Sequence, residues 1–414
     1  LADRLRLRAL AAASLAAVLA GVSGCGSSGA GSSTGSRASA PDTTTNAAPA
    51  RCQRVVTQTV GQIAMRAYRQ LQQGRDFQSV VRALTRDAPL GAAIARNDAG
   101  AIAAAAATVT RGHFARLLIT RKGQPIASVG RASSLAPVTG TVRDRAGNVL
   151  ANFAVSALRA SDYAQLAAHL ADAQVQVTVA GQPSATRSAK APSGATAVAS
   201  TFSFDGEAFP SGGLTVTLRI PPADRLCGKD AATTKANVIG GVAQRIYGAE
   251  AHSLAVNASI SAIAAYRPLV DAVARNDPRA TRAAVTALLY NHSHIVRLRV
   301  TRGHRLLSDV GGPDVLAPST GVLRDAGGTT IGQFVMSLQD DLGFRLLTRR
   351  FTAAHTVLRI GDRVIQGAVA GAPARLPDSG VVAIGGVRYH LFSFTARAFP
   401  SGPLRVTLMV RPGA

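Results

Sequence analysis

Leu135-Ala136-Pro137-Val138-Thr139-Gly140 returns 181 residues later as Leu316-Ala317-Pro318-Ser319-Thr320-Gly321, and this pair decides how the chain is organised. At the same offset Ile119-Thr120-Arg121 becomes Val300-Thr301-Arg302, and Val129-Gly130 becomes Val310-Gly311. Arg143-Asp144, Phe153 and Ser156 become Arg324-Asp325, Phe334 and Ser337. Upstream the offset is 179, from Ala95-Arg96-Asn97-Asp98 to Ala274-Arg275-Asn276-Asp277. Downstream it is 190: Phe202-Ser203-Phe204 and Ala208-Phe209-Pro210-Ser211-Gly212 return as Phe392-Ser393-Phe394 and Ala398-Phe399-Pro400-Ser401-Gly402. The order is kept and only small insertions separate the blocks, which is the signature of a tandem duplication. The second copy gains about nine residues between Ile360 and Val387.

Each copy predicts the same elements. Val55 to Leu71 and Ala236 to Tyr247 read as helices, and a second helical stretch ends at each Arg-Asn-Asp turn. Short helices follow at Ala99 to Ala107 and Arg279 to Leu289. Then the period changes to two. His113 to Thr120 and His294 to Thr301 read as strands with partners ending at Val129 and Val310. Gly140 to Arg143 pairs with Val149 to Leu158, and Gly321 to Arg324 with Ile331 to Leu338. Tyr163, Leu166, Ala167 and Leu170 share one helical face, matched by Phe344, Leu347, Thr348 and Phe351. Closing strands include Val175 to Val179, Val198 to Phe204 and Leu214 to Ile220, and in the second copy Thr356 to Ile360, Val387 to Phe394 and Leu404 to Val410. The fold class is α+β, with an antiparallel sheet and helices on one side in each copy.

This element order, with local runs such as Gly332-Gln333-Phe334-Val335-Met336-Ser337-Leu338-Gln339-Asp340-Asp341-Leu342-Gly343-Phe344, resembles extracellular PAS-like sensor domains of the Cache type. The resemblance covers Arg51 to Pro221 and Leu226 to Arg411. It implies a long N-terminal helix behind the sheet and a small ligand between the sheet and its covering helix. The amino-acid-binding branch of that family uses Trp, and this chain has none.

The N-terminal residues give a location. Arg4, Arg6 and Arg8 precede an uncharged run from Ala9 to Val22, too short to span a roughly 30 Å hydrocarbon core. That is the pattern of a secretory leader. It ends in Val22-Ser23-Gly24-Cys25, which resembles a bacterial lipobox, so a lipid on Cys25 is expected. Residues 1–24 are then a leader, 25–50 a Gly/Ser/Thr-rich tether without apolar bulk, 51–221 the first module and 222–414 the second. Two glycine patterns in the tether, Gly24 to Gly29 and Gly31 to Gly35, lie between no strand and helix and are discarded. The net charge is +24, almost all from Arg. No basic run and few aromatic residues accompany it, so no nucleic-acid partner is expected.

Acylation of Cys25 leaves Cys52 and Cys227, each just before the first helix of its module. Their matched positions suggest a disulfide closing a loop of about 175 residues. Two buried thiols and an intermolecular bridge are the alternatives. His292 and His294 share one strand face but have no third ligand nearby, and His113 matches only His294. They read as a solvated strand end, with no metal and no cofactor. The ligand candidates border the covering helix: Asp340, Asp341, Phe344, Arg345 and Arg349 in the second copy, Asp162 and Tyr163 in the first. A carboxylate there suits an amine and an Arg suits a carboxylate. Asp340 and Asp341 equally suit a helix start, and Tyr163 and Phe344 equally suit the core. Arg159 and Ala160 stand at the Asp positions of copy one, so the copies cannot bind one ligand alike.

No catalytic set is legible, and a non-enzymatic role is expected. The leading expectation is an extracytoplasmic lipoprotein that binds a small ligand and passes its signal to a separate protein, with no output segment of its own. The alternative is an envelope structural or interaction protein whose module interiors are filled.

Overall fold

A computed structural model describes residues 47–110, 114–130, 133–189, 198–209, 212–291 and 294–412. The expected leader, Cys25, most of the expected tether, His113 and His292 lie outside the described residues. In the first repeat, helices α1 (Ala47–Gln73), α2 (Arg75–Arg86), α3 (Ala88–Ala95) and α4 (Ala99–Thr110) come first. Strands β1 (Arg116–Arg121), β2 (Gln124–Val129), β3 (Ser134–Leu135), β4 (Val138–Arg143), β5 (Val149–Ser156) and β6 (Leu158–Arg159) follow. The covering helix α5 (Ala160–Ala171) leads to β7 (Gln174–Val179), β8 (Gln182–Ser188), β9 (Ser200–Phe209) and β10 (Gly212–Ile220). The second repeat runs α6 (Ala231–His252), α7 (Leu254–Ala265), α8 (Arg267–Ala274), α9 (Pro278–Asn291), β11 (Arg297–Arg302), β12 (Arg305–Gly311), β13 (Val315–Leu316), β14 (Ser319–Arg324), β15 (Thr330–Ser337) and β16 (Gln339–Asp340). It closes with α10 (Asp341–Thr352), β17 (His355–Ile360), β18 (Arg363–Gln366), β19 (Ser379–Ile384), β20 (Val387–Phe399) and β21 (Gly402–Val410).

The α+β class and the antiparallel pairing are as read, but the strands of each repeat sort into two sheets rather than one. A small sheet has the order β2-β1-β5-β4 and a large one β6-β3-β9-β10-β7-β8. The second repeat repeats this as β12-β11-β15-β14 and β16-β13-β20-β21-β17-β18, with β19 added on β20. The Leu-Ala-Pro motif makes the division. Leu135 pairs with Ala208 in the large sheet, Ala136 turns at φ 54°, and after Pro137 the chain enters β4 of the small sheet. A non-glycine residue at positive φ is uncommon and is held here by its surroundings. Ala136 N donates to Glu207 O at 3.0 Å, and Ser156 Oγ donates to Leu135 O. Ala317 (φ 52°) and the Ser337 Oγ bond to Leu316 O repeat the joint.

The other repeated motifs also resolve into backbone devices. Asn97 and Asn276 take left-handed φ values of 56° and 54°, ending α3 and α8. Asp98 and Asp277 then accept from Ala101 N and Ala280 N to start the next helices. Asp144 and Asp325 accept from Asn148 N and Thr329 N to shape the β4–β5 and β14–β15 turns.

One apolar core spans both repeats. It takes Val56, Val60, Ile63, Ala64 and Ala67 from α1, at helical spacing, and Val238, Ile239, Val242, Ala243 and Ile246 from α6. The inner faces of both large sheets and the helices α5 and α10 complete it. α1 packs on α6, while α10 touches α1 and α5 touches α6, so each covering helix also meets the other repeat's long helix. Gly61 and Gly240 make the helix-to-sheet approach possible. A Cβ there would lie 2.4 Å from the Phe202 ring and 2.1 Å from the Phe392 ring. Arg245 of α6 donates from Nε and Nη2 to Leu170 O at 3.2 and 2.8 Å, capping the C-terminus of α5 across the boundary. Separate cores lie under the small sheets, around Leu117, Ile119 and Phe153 in one and Leu298, Val300 and Phe334 in the other.

The insertion in the second repeat covers a sheet face. Val369, Ala372, Leu376 and Val382 pack on Val357, Tyr389, Leu391 and Met409. In the first repeat β8 is exposed along nearly all its length. The tether also ends sooner than expected, because α1 already begins at Ala47. Cys52 therefore lies inside α1, whereas Cys227 precedes α6, whose start is fixed by Asp230 accepting from Thr233 N at 2.7 Å.

Glu250, in the last turn of α6, is half-buried among these elements, and burial pushes its carboxyl from about 4.5 up to about 7. The folded state then holds the proton more tightly than the unfolded chain. The resulting penalty is absent below pH 4.5 and complete above pH 7. Glu250→Gln should therefore gain about 3 kcal/mol over the parent at pH 8 and little at pH 4, read by denaturant unfolding. An equal gain at both pH values would contradict this.

Candidate functional site

The residues expected to line a ligand space sit at the covering helices, and the two repeats differ there. In the first repeat Tyr163 of α5 is 0 % exposed and meets Tyr68 of α1 edge-on, with ring centroids 6.0 Å apart. Its hydroxyl donates to Ala64 O at 3.0 Å, and burial pushes its pKa up. Phe344 of α10 is equally buried and meets Tyr247 of α6 edge-on at 5.9 Å. Both rings are therefore core, not ligand-facing, because the space under the helix is filled by each repeat's own tyrosine. Those tyrosines lock helix to sheet. Tyr68 OH donates to Glu207 O at 2.9 Å and accepts from Glu207 N at 2.8 Å. Tyr247 makes the same pair with Arg397, at 2.8 and 2.9 Å.

The start of α10 is polar. Asp340 is the N-cap and accepts from Gly343 N at 2.6 Å. A side chain at 343 would displace the ends of the Gln339 and Asp340 side chains, since a Cβ would lie 2.3 Å from Gln339 Nε2 and 2.6 Å from Asp340 Oδ1. Asp341 Oδ1 accepts from Leu342 N at 2.7 Å. Burial, and then the charges of Asp340 and Asp314, raise the Asp341 pKa against the hydrogen bond from Leu342 N. Three buried side-chain atoms on β16 and along α10 have no hydrogen-bond partner among the described residues: Gln339 Oε1, Arg345 Nε and Thr348 Oγ1. Such groups are normally matched by protein, water or a bound molecule. Arg349, in the last turn, is exposed.

The first repeat has none of this. Leu158, Ala160, Ala164 and Ala167 stand where the second has Gln339, Asp341, Arg345 and Thr348. Asp162 is engaged by Arg159, Nε to Oδ2 at 2.7 Å, and by Ser161 Oγ at 3.2 Å. Gln339 and Thr348 escaped the sequence reading. The signal that finds them is a comparison of the copies, looking for polar residues where the other copy is apolar.

Cys52 and Cys227 are joined, with Cα atoms 5.6 Å apart, so the paired arrangement expected from their matched positions is the one adopted. The expected histidine pair cannot be described, since His292 lies outside the described residues. Among the described residues no group of three or more His, Cys, Asp or Glu is placed to hold a metal. Two open clefts of about 570 and 460 Å³ lie elsewhere, the first between α8 and α9 around Tyr266 and Asp271, the second beside Gln53, Thr57 and Ser200.

No protein-family model matches the chain, and no curated protein is similar to it. Among solved structures it is similar to the periplasmic domain of LuxQ from Vibrio cholerae, with 11% identity and a TM-score of 0.29 over 44% of this chain and 99% of that one. It is also similar to an extracellular ligand binding receptor from Desulfohalobium retbaense, with 11% identity and a TM-score of 0.21 over 37% of this chain and 39% of that one.

Proposed function

We propose that this chain is an extracytoplasmic, lipid-anchored binding protein that takes a small polar ligand at the start of α10 in its second repeat. The observation that carries this reading is the set of orphaned buried atoms on β16 and α10, Gln339 Oε1, Arg345 Nε and Thr348 Oγ1, on the same elements as Asp340 and Asp341. A ligand with an amine for Asp341 and an acceptor for Arg345 would satisfy both. The leader pattern and Cys25 support export and anchoring, and a Cys52–Cys227 bridge fits an oxidising compartment. In this reading the protein performs no catalysis, and a separate signalling or envelope protein reads the bound state.

A second reading, an envelope structural or interaction protein, is favoured by the filled space at Tyr163 and Phe344. A thermal-shift screen of amines, amino acids and organic acids on the disulfide-bonded chain separates the two. A ligand at one hundred times its Kd adds roughly 2.7 kcal/mol. The binding reading expects a rise in Tm with an amine-bearing class, lost in Asp341→Ala. No rise with any class would leave the structural reading.

A further inference from the structure

The junction between small and large sheet has the same frame in both repeats but different contents. In the second, Arg297 Nε donates to Asp309 Oδ1 at 2.8 Å and Nη2 to Oδ2 at 2.9 Å. Arg299 adds Nε and Nη2 bonds to Oδ2 at 2.9 and 2.6 Å. Both guanidiniums lie over the Phe399 ring, their carbons 5.3 and 4.7 Å from its centroid. Burial alone would raise the Asp309 pKa, but the two guanidiniums outweigh it and hold the carboxyl below its ordinary value. The frame is thus a cradle for one carboxylate, and the second repeat supplies that carboxylate itself.

The first repeat keeps the cradle without its occupant. Arg116 stands at the position of Arg297 and Phe209 at that of Phe399, with the Arg116 guanidinium carbon 5.5 Å from the ring centroid. Ser128 replaces Asp309, Leu118 replaces Arg299, and Ser134 replaces Val315. Arg116 Nε, whose counterpart binds Asp309, is buried without a hydrogen-bond partner among the described residues. So is the hydroxyl of Ser134, which pairs with Phe209 across β3 and β9. Ser128 is exposed, so the place of the missing carboxylate opens to solvent. The side chains of Arg116, Leu118 and Ser128 lie on the face of the small sheet opposite the one that buries Leu117 and Ile119 in its core.

We propose that this junction binds a small organic acid, whose carboxylate sits on Arg116 as Asp309 sits on Arg297. The planar fork of a guanidinium matches two carboxylate oxygens, the ring of Phe209 backs the cation, and an unmatched buried donor gains its partner. This site belongs to the other repeat and is independent of the one at α10.

The test is to follow the Arg116 Nε–Hε resonance by ¹⁵N NMR of the full disulfide-bonded chain, with acetate as probe. The resonance should move saturably with acetate, and hardly at all with chloride or phosphate at matched ionic strength. In Ser128→Asp, where the chain regains its own carboxylate, the resonance should already be displaced and acetate should no longer move it. No saturable movement, an equal response to phosphate or chloride, or an unaltered acetate response in Ser128→Asp would each overturn the proposal.

Discussion

Truncating Phe344 to alanine is expected to cost about 3–5 kcal/mol of unfolding free energy, the range for deleting a large aromatic side chain from a packed core. Phe344 is 0 % exposed and sits in the core that spans both repeats, against α6 and its Tyr247. Its removal takes away the ring that holds Tyr247 over the strand at Arg397, so helix, sheet and covering helix all lose a contact. Urea unfolding of the variant reads the effect directly. A loss below about 1 kcal/mol would mean that the space is not close-packed, and would return Phe344 to the ligand-facing role. The hydroxyl is not what the frame requires at this position, since Tyr163 has one and Phe344 does not.

The second large effect is expected from the cross-repeat bridge. Replacing Cys52 and Cys227 together by serine should lower stability by about 2–5 kcal/mol, with the upper figure from the chain entropy of a loop of 175 residues. The m-value should rise, because the unfolded chain without the bridge is less compact and exposes more surface. An unchanged denaturation midpoint would show that the bridge constrains nothing.

Much of the frame was legible in the sequence because duplication prints every structural device twice. The Arg-Asn-Asp helix stops, the Arg-Asp turns and the Leu-Ala-Pro joint all appear as matched strings. Cys52 and Cys227 were expected to pair from their nearly matched places, although at the offset of 179 Cys52 aligns with Ala231, four residues beyond Cys227. The division of each repeat into two sheets was not legible. Period-two alternation marks a strand but says nothing about its neighbour. β3, which makes the division, is only two residues long, Ser134–Leu135, and carries no periodic signal. The start of α1 at Ala47 was masked by composition, since alanine and proline continue the look of the tether. At the α10 site the charged residues Asp340, Asp341 and Arg345 were read, but Gln339 and Thr348 were not. A neutral polar side chain announces itself only when burial leaves it unmatched, which depends on packing.

The arrangement rests on two like repeats closed into one body by a shared core and a disulfide. A peptide map of the chain recovered from the membrane fraction, alkylated and digested without reduction, tests this most directly. The account predicts a single cross-linked species joining the Cys52 peptide to the Cys227 peptide within one chain. Alkylated thiols at both positions, or a bridge between two chains, would contradict it.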